Sequence, residues 1–229
     1  MKFNNYKHPI HSNYERELEE FGQKFTDFIK EGDWVIDVGA SSGDSTLAMG
    51  YLAGQSGKVI AFEPSPVIAW LKHNIDNNIH LSNFEIHNFG ILDRDCEKDF
   101  CTSPSLDNGG IIDEHLFANE GRFTNCRLRF VNGNSFLNNH YKENLFKIRF
   151  IKIDTEGTDF LILENLLSFS KEYKPVYFIE WWHERLVSEL LFDVIEKMDY
   201  DAVRDDNRRE ARRKDFSTRS GNIILIPRI

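Results

Sequence analysis

The segment Trp34-Val-Ile-Asp-Val38 narrows the fold more than any other: a short, β-branched apolar run that stops abruptly at Gly39-Ala-Ser-Ser-Gly43 before a helical stretch beginning near Asp44. A strand, a glycine turn and a helix in that order form the opening unit of an α/β sheet. The pattern recurs. Lys58 to Phe62 reads as a second strand, Pro66 to Asn77 as a helix and Phe84 to Asn88 as a third strand. Further on, Arg149 to Ile153 and Val176 to Glu180 read as strands, with a helix from about Phe160 to Leu167 between them and another from Leu186 to Met198 after them. Strands separated by helices imply right-handed crossovers and a parallel sheet. The last two strand candidates, Tyr200 to Val203 and Asn222 to Ile226, are joined by a charged loop without a clear crossover helix. An antiparallel closing pair is therefore expected.

Two segments flank this core. From Tyr14 to Lys30, the residues Leu18, Phe21, Phe25 and Phe28 recur at intervals of three and four, which predicts an amphipathic helix in the N-terminal segment 1–32. Residues 93–145 are richer in Asn, Gly and charge, with one alternating run at Arg127-Leu-Arg-Phe-Val131. Long connections in compact domains are often functional, so this insertion between the third and fourth strands is assigned to the acceptor side. A chain of 229 residues without a composition break is expected to form one domain, 1–229, and its 19 Phe and 4 Trp supply material for a large core.

Charge and composition limit the partners. A formal charge of −9 opposes a general grip on nucleic acid, which needs a basic surface to displace counterions. The stretch Arg204 to Arg219 mixes both signs and reads as a solvated face, with contact to an anionic acceptor as the alternative. Cys96, Cys101 and Cys126 are odd in number and lack paired zinc spacing, so free thiols in a cytoplasmic protein are expected. Met1 to Tyr14 contains no apolar stretch of the kind a secretory signal needs, and no run approaches transmembrane length, so no membrane partner is expected.

The glycine turn lies where open α/β sheets bind ligands, beyond the carboxyl ends of the strands. Gly39 and Gly43 allow a tight turn and close backbone approach, and the helix start offers N–H groups to an anion. The spacing G-x-x-x-G differs from the G-x-G-x-x-G of dinucleotide binders, which favours a smaller zwitterionic ligand over a pyrophosphate. Glu63 ends the second strand about twenty residues past the turn, where a carboxylate can accept hydrogen bonds from both hydroxyls of a ribose.

With these residues in view, the chain resembles the FkbM family of S-adenosylmethionine-dependent methyltransferases. Four segments carry the resemblance: Val35-Ile-Asp-Val-Gly-Ala-Ser-Ser-Gly43, Val59-Ile-Ala-Phe-Glu-Pro64, Ile151-Lys-Ile-Asp-Thr-Glu-Gly157 and Gly221-Asn-Ile-Ile-Leu-Ile-Pro227. It implies a Rossmann-like class I methyltransferase fold, a seven-stranded, mostly parallel sheet with a reversed last strand and helices on both faces. It also implies S-adenosyl-L-methionine as cofactor. Asp37, Gly39, Ala40 and Gly43 would line its methionine moiety, Glu63 would hold the ribose, and Asn88 and Phe89 would lie near the adenine, with Ser41 and Pro64 completing the set. The chain departs from the family pattern at Ser41-Ser42, where an Asn followed by an apolar residue is usual, and at Asp159, where Glu is common. Val131-Asn-Gly-Asn-Ser-Phe-Leu137 lacks the usual Thr-Leu-Asp.

Methyl transfer from a sulfonium needs alignment of the acceptor and removal of its proton. Asp154, Glu156 and Asp159 crowd the exit of the fourth strand; Asp154 and Glu156 are acceptor-side candidates, while Asp159 fits a helix-capping role as well. Close carboxylates could instead hold a divalent cation, Asp154 and Glu156 being the candidate ligands, as the minority alternative. Lys152 precedes the cluster and could balance its charge. Glu180-Trp-Trp-His183 puts an acid, two rings and an imidazole at the same edge; the tryptophans either stack on a flat acceptor or pack internally, and His183 either accepts a hydroxyl proton or is a surface residue. The expected reaction is O-methylation of a hydroxyl on a small molecule or glycan, with Asp154, His183, Glu180 and Glu156 as catalytic candidates. The alternatives are a non-catalytic binding module on the same fold and an NAD-dependent oxidoreductase.

Overall fold

The computed structural model describes residues 3–7, 14–102, 109–111, 124–181, 185–212 and 221–228. The main sheet is seven-stranded, in the order β10-β11-β9-β8-β1-β2-β3. It is formed by β1 (Trp34–Val38), β2 (Lys58–Phe62), β3 (Asn83–His87), β8 (Ile148–Ile153), β9 (Val176–Trp181), β10 (Tyr200–Arg204) and β11 (Gly221–Pro227). Strands β1, β2, β3, β8 and β9 pair in parallel, whereas β11 runs antiparallel to both β9 and β10. This is the α/β architecture expected from the sequence, reversed last strand included.

Helices α1 (Tyr14–Phe25), α2 (Asp44–Ala53), α3 (Ile68–Asp76), α4 (Gly133–Tyr141), α5 (Asp159–Asn165), α6 (Leu167–Tyr173) and α7 (Arg185–Glu196) surround the sheet. The period of two along each strand divides the core. Ile36, Val38, Ile60, Phe62, Ile151, Ile153, Tyr177 and Ile179 face one side, with residues of α4 to α7. Val35, Val59, Phe150, Phe178 and Ile224 face the other, where Phe25 of α1 packs 5.0 Å from Phe150 and 5.1 Å from Phe178 between ring centroids. Burial of such a side chain stabilises the fold by about 2–3 kcal/mol.

Three expectations need correction. The first helix ends at Phe25 rather than Lys30, because the chain turns there, with the amides of Phe28 and Ile29 both donating to the Phe25 carbonyl. The helix expected from Phe160 to Leu167 is two helices, α5 and α6, broken at Leu166. The insertion is also more ordered than its composition suggests. With β4 (Gly90–Leu92), which precedes it, it builds a second, four-stranded sheet from β5 (Cys96–Thr102), β6 (Gly109–Ile111) and β7 (Thr124–Asn132), in the order β4-β7-β5-β6. One face of it carries Phe100, Ile111 and Phe130 into the main core, while Glu97, Asp99 and Arg127 pair on the solvated face. Helix α4 follows at once, capped by the Asn132 side chain, which accepts from the Ser135 amide at 2.8 Å. Residues 103–108 and 112–123 of the insertion lie outside the described residues.

Candidate functional site

The carboxyl edge of β1 and β2 is organised around two buried acids. Asp37 shares the sheet face of Val35, directly beneath the start of α2. Its Oδ2 accepts from Ser45 Oγ at 2.8 Å and Thr46 Oγ1 at 2.7 Å, and Lys152 Nζ lies 3.4 Å from Oδ1. Fully buried, Asp37 therefore supports the glycine turn from below. Above it, Gly39 adopts φ 79° and Gly43 φ 97°. A Cβ at Gly39 would fall 1.9 Å from the Asp154 carbonyl oxygen, so only glycine permits β1 and β8 to end this close together. Ser41 also occupies the left-handed region, at φ 49°, a conformation that Asn tolerates better than Ser. Ala40 is buried against α2 and α3.

Glu63 follows β2 and is buried. Its Oε2 accepts from the Ser41 amide and its Oε1 from the Ser65 amide, each at 2.8 Å. Burial raises its pKa, and the bonds from Ser65 and Ser41 oppose that shift. Turn and carboxylate, separated in sequence, are thus in direct contact. Beside them, the exposed Asn88 donates from Nδ2 to the carbonyls of Glu63 and Pro64, tying the end of β3 to the end of β2. Phe89 is half-buried, 5.8 Å from Phe62, 5.1 Å from His87 and 5.4 Å from Phe136 between centroids.

At the edge of β8 and β9 the carboxylates converge on one another. Oxygens of Asp154, Glu156 and Glu180 lie within 4.8 Å of one another, a spacing that would also suit a divalent cation. Glu156 stands in a left-handed conformation, φ 57°, and its Oε2 is buried without a hydrogen bond. Burial, then repulsion from Asp154 and Asp159, pushes its pKa up to about 7. Asp159 opens α5 but turns back: its Oδ1 accepts from the Thr155 amide and its Oδ2 from the Gly157 amide, both at 3.2 Å. It holds the loop 155–157 in shape. Burial and the Asp154 charge raise its pKa to about 6.

Lys152 joins the two edges. Its buried Nζ lies 3.1 Å from Asp154 Oδ2 and 3.4 Å from Asp37 Oδ1, and donates to the Gly39 carbonyl at 3.4 Å. Burial alone would lower its pKa, but Asp154, Asp37 and Asp44 outweigh that and hold it above the ordinary lysine range. The sequence left its role open although the signal was present. Period two puts Lys152 and Asp154 on one face, and the β1–β8 register sets Lys152 beside Asp37. Ser45 and Thr46, the hydroxyls that hold Asp37, and Ser65 were missed as well. Trp181 resolves towards packing: it is buried in the core, its ring against Gly221. Trp182 and His183 lie outside the described residues, as do Arg213, Lys214 and Arg219 of the charged stretch. Cys96, Cys101 and Cys126 are free.

The fold has relatives. A candidate rRNA methylase from Clostridium thermocellum superposes with a TM-score of 0.56 at 13% identity, over 92% of this chain and 94% of its own. Methyltransferase FkbM from Methylobacillus flagellatus KT gives 0.53 at 13% identity, covering 95% of this chain but 56% of the other. A candidate methyltransferase from Streptococcus mutans, in complex with SAH, gives 0.50 at 11% identity, over 92% and 97% of the two chains. At such identities the likeness establishes the class I methyltransferase fold. No curated protein matches the chain by sequence. The model of the methyltransferase FkbM domain matches residues 37–205, from the acid under the glycine turn to the start of the charged stretch, and the chain belongs to that family of S-adenosylmethionine-dependent methyltransferases.

Proposed function

We propose that the chain binds S-adenosylmethionine across the ends of β1, β2 and β3 and methylates a hydroxyl of a small molecule or glycan. The observation that carries the reading is the contact between the glycine turn and Glu63, made by the Ser41 amide at 2.8 Å. It brings a backbone turn suited to the methionine moiety beside a carboxylate suited to a ribose. The donor set fits. Each oxygen of Glu63 accepts one amide and the Ser65 hydroxyl adds a further bond, and a carboxylate with about four lone-pair sites keeps capacity for a ribose hydroxyl. Gly39, Ala40, Ser41 and Gly43 would hold the methionine end, with Asp37 supporting them, while Pro64, Asn88 and Phe89 would border the adenine. Bound there, the cofactor supplies a methyl group already activated on a sulfonium.

The chain's own task is then to align the acceptor and accept its proton. Asp154 is the first candidate for that contact, followed by His183, Glu180 and Glu156. A positioned base of this kind contributes about 10²–10⁴ in rate. Glu156, with a pKa near 7, is poised to exchange a proton at neutral pH. The three converging acids also suit a positively charged sulfonium nearby. A nucleic-acid acceptor is disfavoured by the net charge of −9, and no described helix is long and apolar enough to cross a membrane. A divalent cation shared by Asp154, Glu156 and Glu180 is the second reading, supported by their convergence; magnesium without effect on the melting temperature would dismiss it.

Melting curves with S-adenosylhomocysteine and with NADH test the cofactor assignment, because a ligand selective for the folded state raises its melting temperature. A rise with S-adenosylhomocysteine alone supports the reading. A rise with NADH alone would favour the oxidoreductase, and no rise with either the binding module.

A further inference from the structure

We infer that Tyr6 is a positioning residue for the cofactor turn, acting through Ser42, and that residues 3–7 form a strap whose docking is coupled to cofactor binding. The inference rests on the cofactor site proposed above. Two fully buried asparagines hold the strap by reading its backbone. Asn74 Oδ1 accepts from the Lys7 amide at 2.7 Å and its Nδ2 donates back to the Lys7 carbonyl at 2.7 Å. One helical turn on, Asn78 Oδ1 accepts from the Asn4 amide at 2.6 Å and its Nδ2 donates to the Asn4 carbonyl at 2.8 Å. Between these clamps the Tyr6 ring is buried in the cluster that contains Ala40 and Leu71.

The strap reaches the turn by two routes that meet at one residue. Tyr6 Oη and Ser42 Oγ share a buried hydrogen bond of 3.0 Å. The Ser42 carbonyl accepts from the same Asn74 Nδ2 that holds Lys7, at 2.8 Å. Ser42 is itself buried and stands where the family resemblance expects an apolar residue, so the hydroxyl buried here comes with the tyrosine that satisfies it. A buried hydroxyl pair is costly to separate. Ser42 lies between Ser41, whose amide bonds Glu63, and Gly43, which starts α2. Undocking the strap therefore releases the segment that shapes the seat. By reciprocity, a ligand that fixes the seat favours the docked strap.

The test is calorimetry with S-adenosylhomocysteine on the wild type, Tyr6→Phe, Ser42→Ala and the double variant, together with melting curves of the ligand-free proteins and amide exchange at residues 3–7. Each single substitution is expected to weaken binding about fivefold, the weight of one hydrogen bond. The double variant should bind no worse than the weaker single one, since both remove the same contact. In the wild type, exchange at Tyr6 and Lys7 should slow when the ligand is added. Lower melting temperatures with unchanged affinity would make Tyr6 merely structural and overturn the inference, as would multiplying losses in the double variant. If Tyr6→Phe does not fold, the exchange measurement decides alone, and exchange unaffected by ligand overturns the coupling. A wild type that fails to bind S-adenosylhomocysteine would instead refute the cofactor site itself, and this inference with it.

Discussion

At the ends of β1 and β2 two buried carboxylates each accept at least two hydrogen bonds, and the unbonded Oδ1 of Asp37 lies 3.4 Å from the Lys152 ammonium, whereas at the ends of β8 and β9 three carboxylates converge and the unbonded Oε2 of Glu156 is surrounded by like charge. Both edges belong to one sheet and share Lys152. The first is shaped by hydrogen bonds the chain makes to itself, which suits the cofactor seat proposed for it. The second is left electrostatically crowded, which is the condition for a group that must take up a proton or face a cation. The comparison implies that substitutions at the first edge cost stability, while relief of repulsion at the second adds to it.

The largest effect should come from Lys152→Met. Removing the cation leaves Asp37 buried without it, and breaking a buried pair costs about 3–5 kcal/mol, measurable by urea unfolding. Gly39→Ala follows, with a loss of about 3 kcal/mol, because the new Cβ meets the backbone of Asp154 and the residue must hold a positive φ. Either variant retaining wild-type stability would break the claim that the first edge is preorganised. Glu63→Ala should weaken S-adenosylhomocysteine binding by about 1–3 kcal/mol, the scale for losing charge-assisted hydrogen bonds. Unchanged affinity in calorimetry would remove Glu63 from the site.

Glu156→Gln should have no effect at low pH and the opposite sign at high pH. A carboxylate raised to about 7 in the folded state, against 4.5 unfolded, destabilises the fold increasingly as pH rises through that window. Near pH 4, both proteins are expected to be about equally stable. By about pH 8 the variant should be more stable by about 3 kcal/mol, seen as diverging unfolding midpoints. A variant less stable at high pH would show that Glu156 is held by a partner there, and the contrast between the edges would fail.

The first edge was also the legible one. A β-branched run, a G-x-x-x-G turn and a strand-end Glu are local signals, and each reports a backbone requirement that few residues can meet. The parallel sheet followed from the alternation of strands and helices, and its antiparallel closing pair from the charged loop without a crossover helix. What escaped were features made by partners distant in sequence. Lys152 gains its role from the register with Asp37, and Glu180, named as a catalytic candidate, meets Asp154 and Glu156 only because β9 pairs beside β8. The second sheet was hidden because half of each strand faces water and carries charge, as at Glu97, Asp99 and Arg127, and α4 because an Asn-rich start reads as loop until Asn132 is seen to cap it. Trp181 could not be assigned from spacing, since an aromatic ring at a strand end suits a core as well as a ligand.

The most direct measurement is a crystal structure with S-adenosylhomocysteine. The account predicts the homocysteine portion against residues 39–43 and a ribose hydroxyl on Glu63, with the sulfur turned towards Asp154. A nucleoside seated elsewhere, or a Glu63 that keeps its two amides and makes no bond to the ribose, would contradict it.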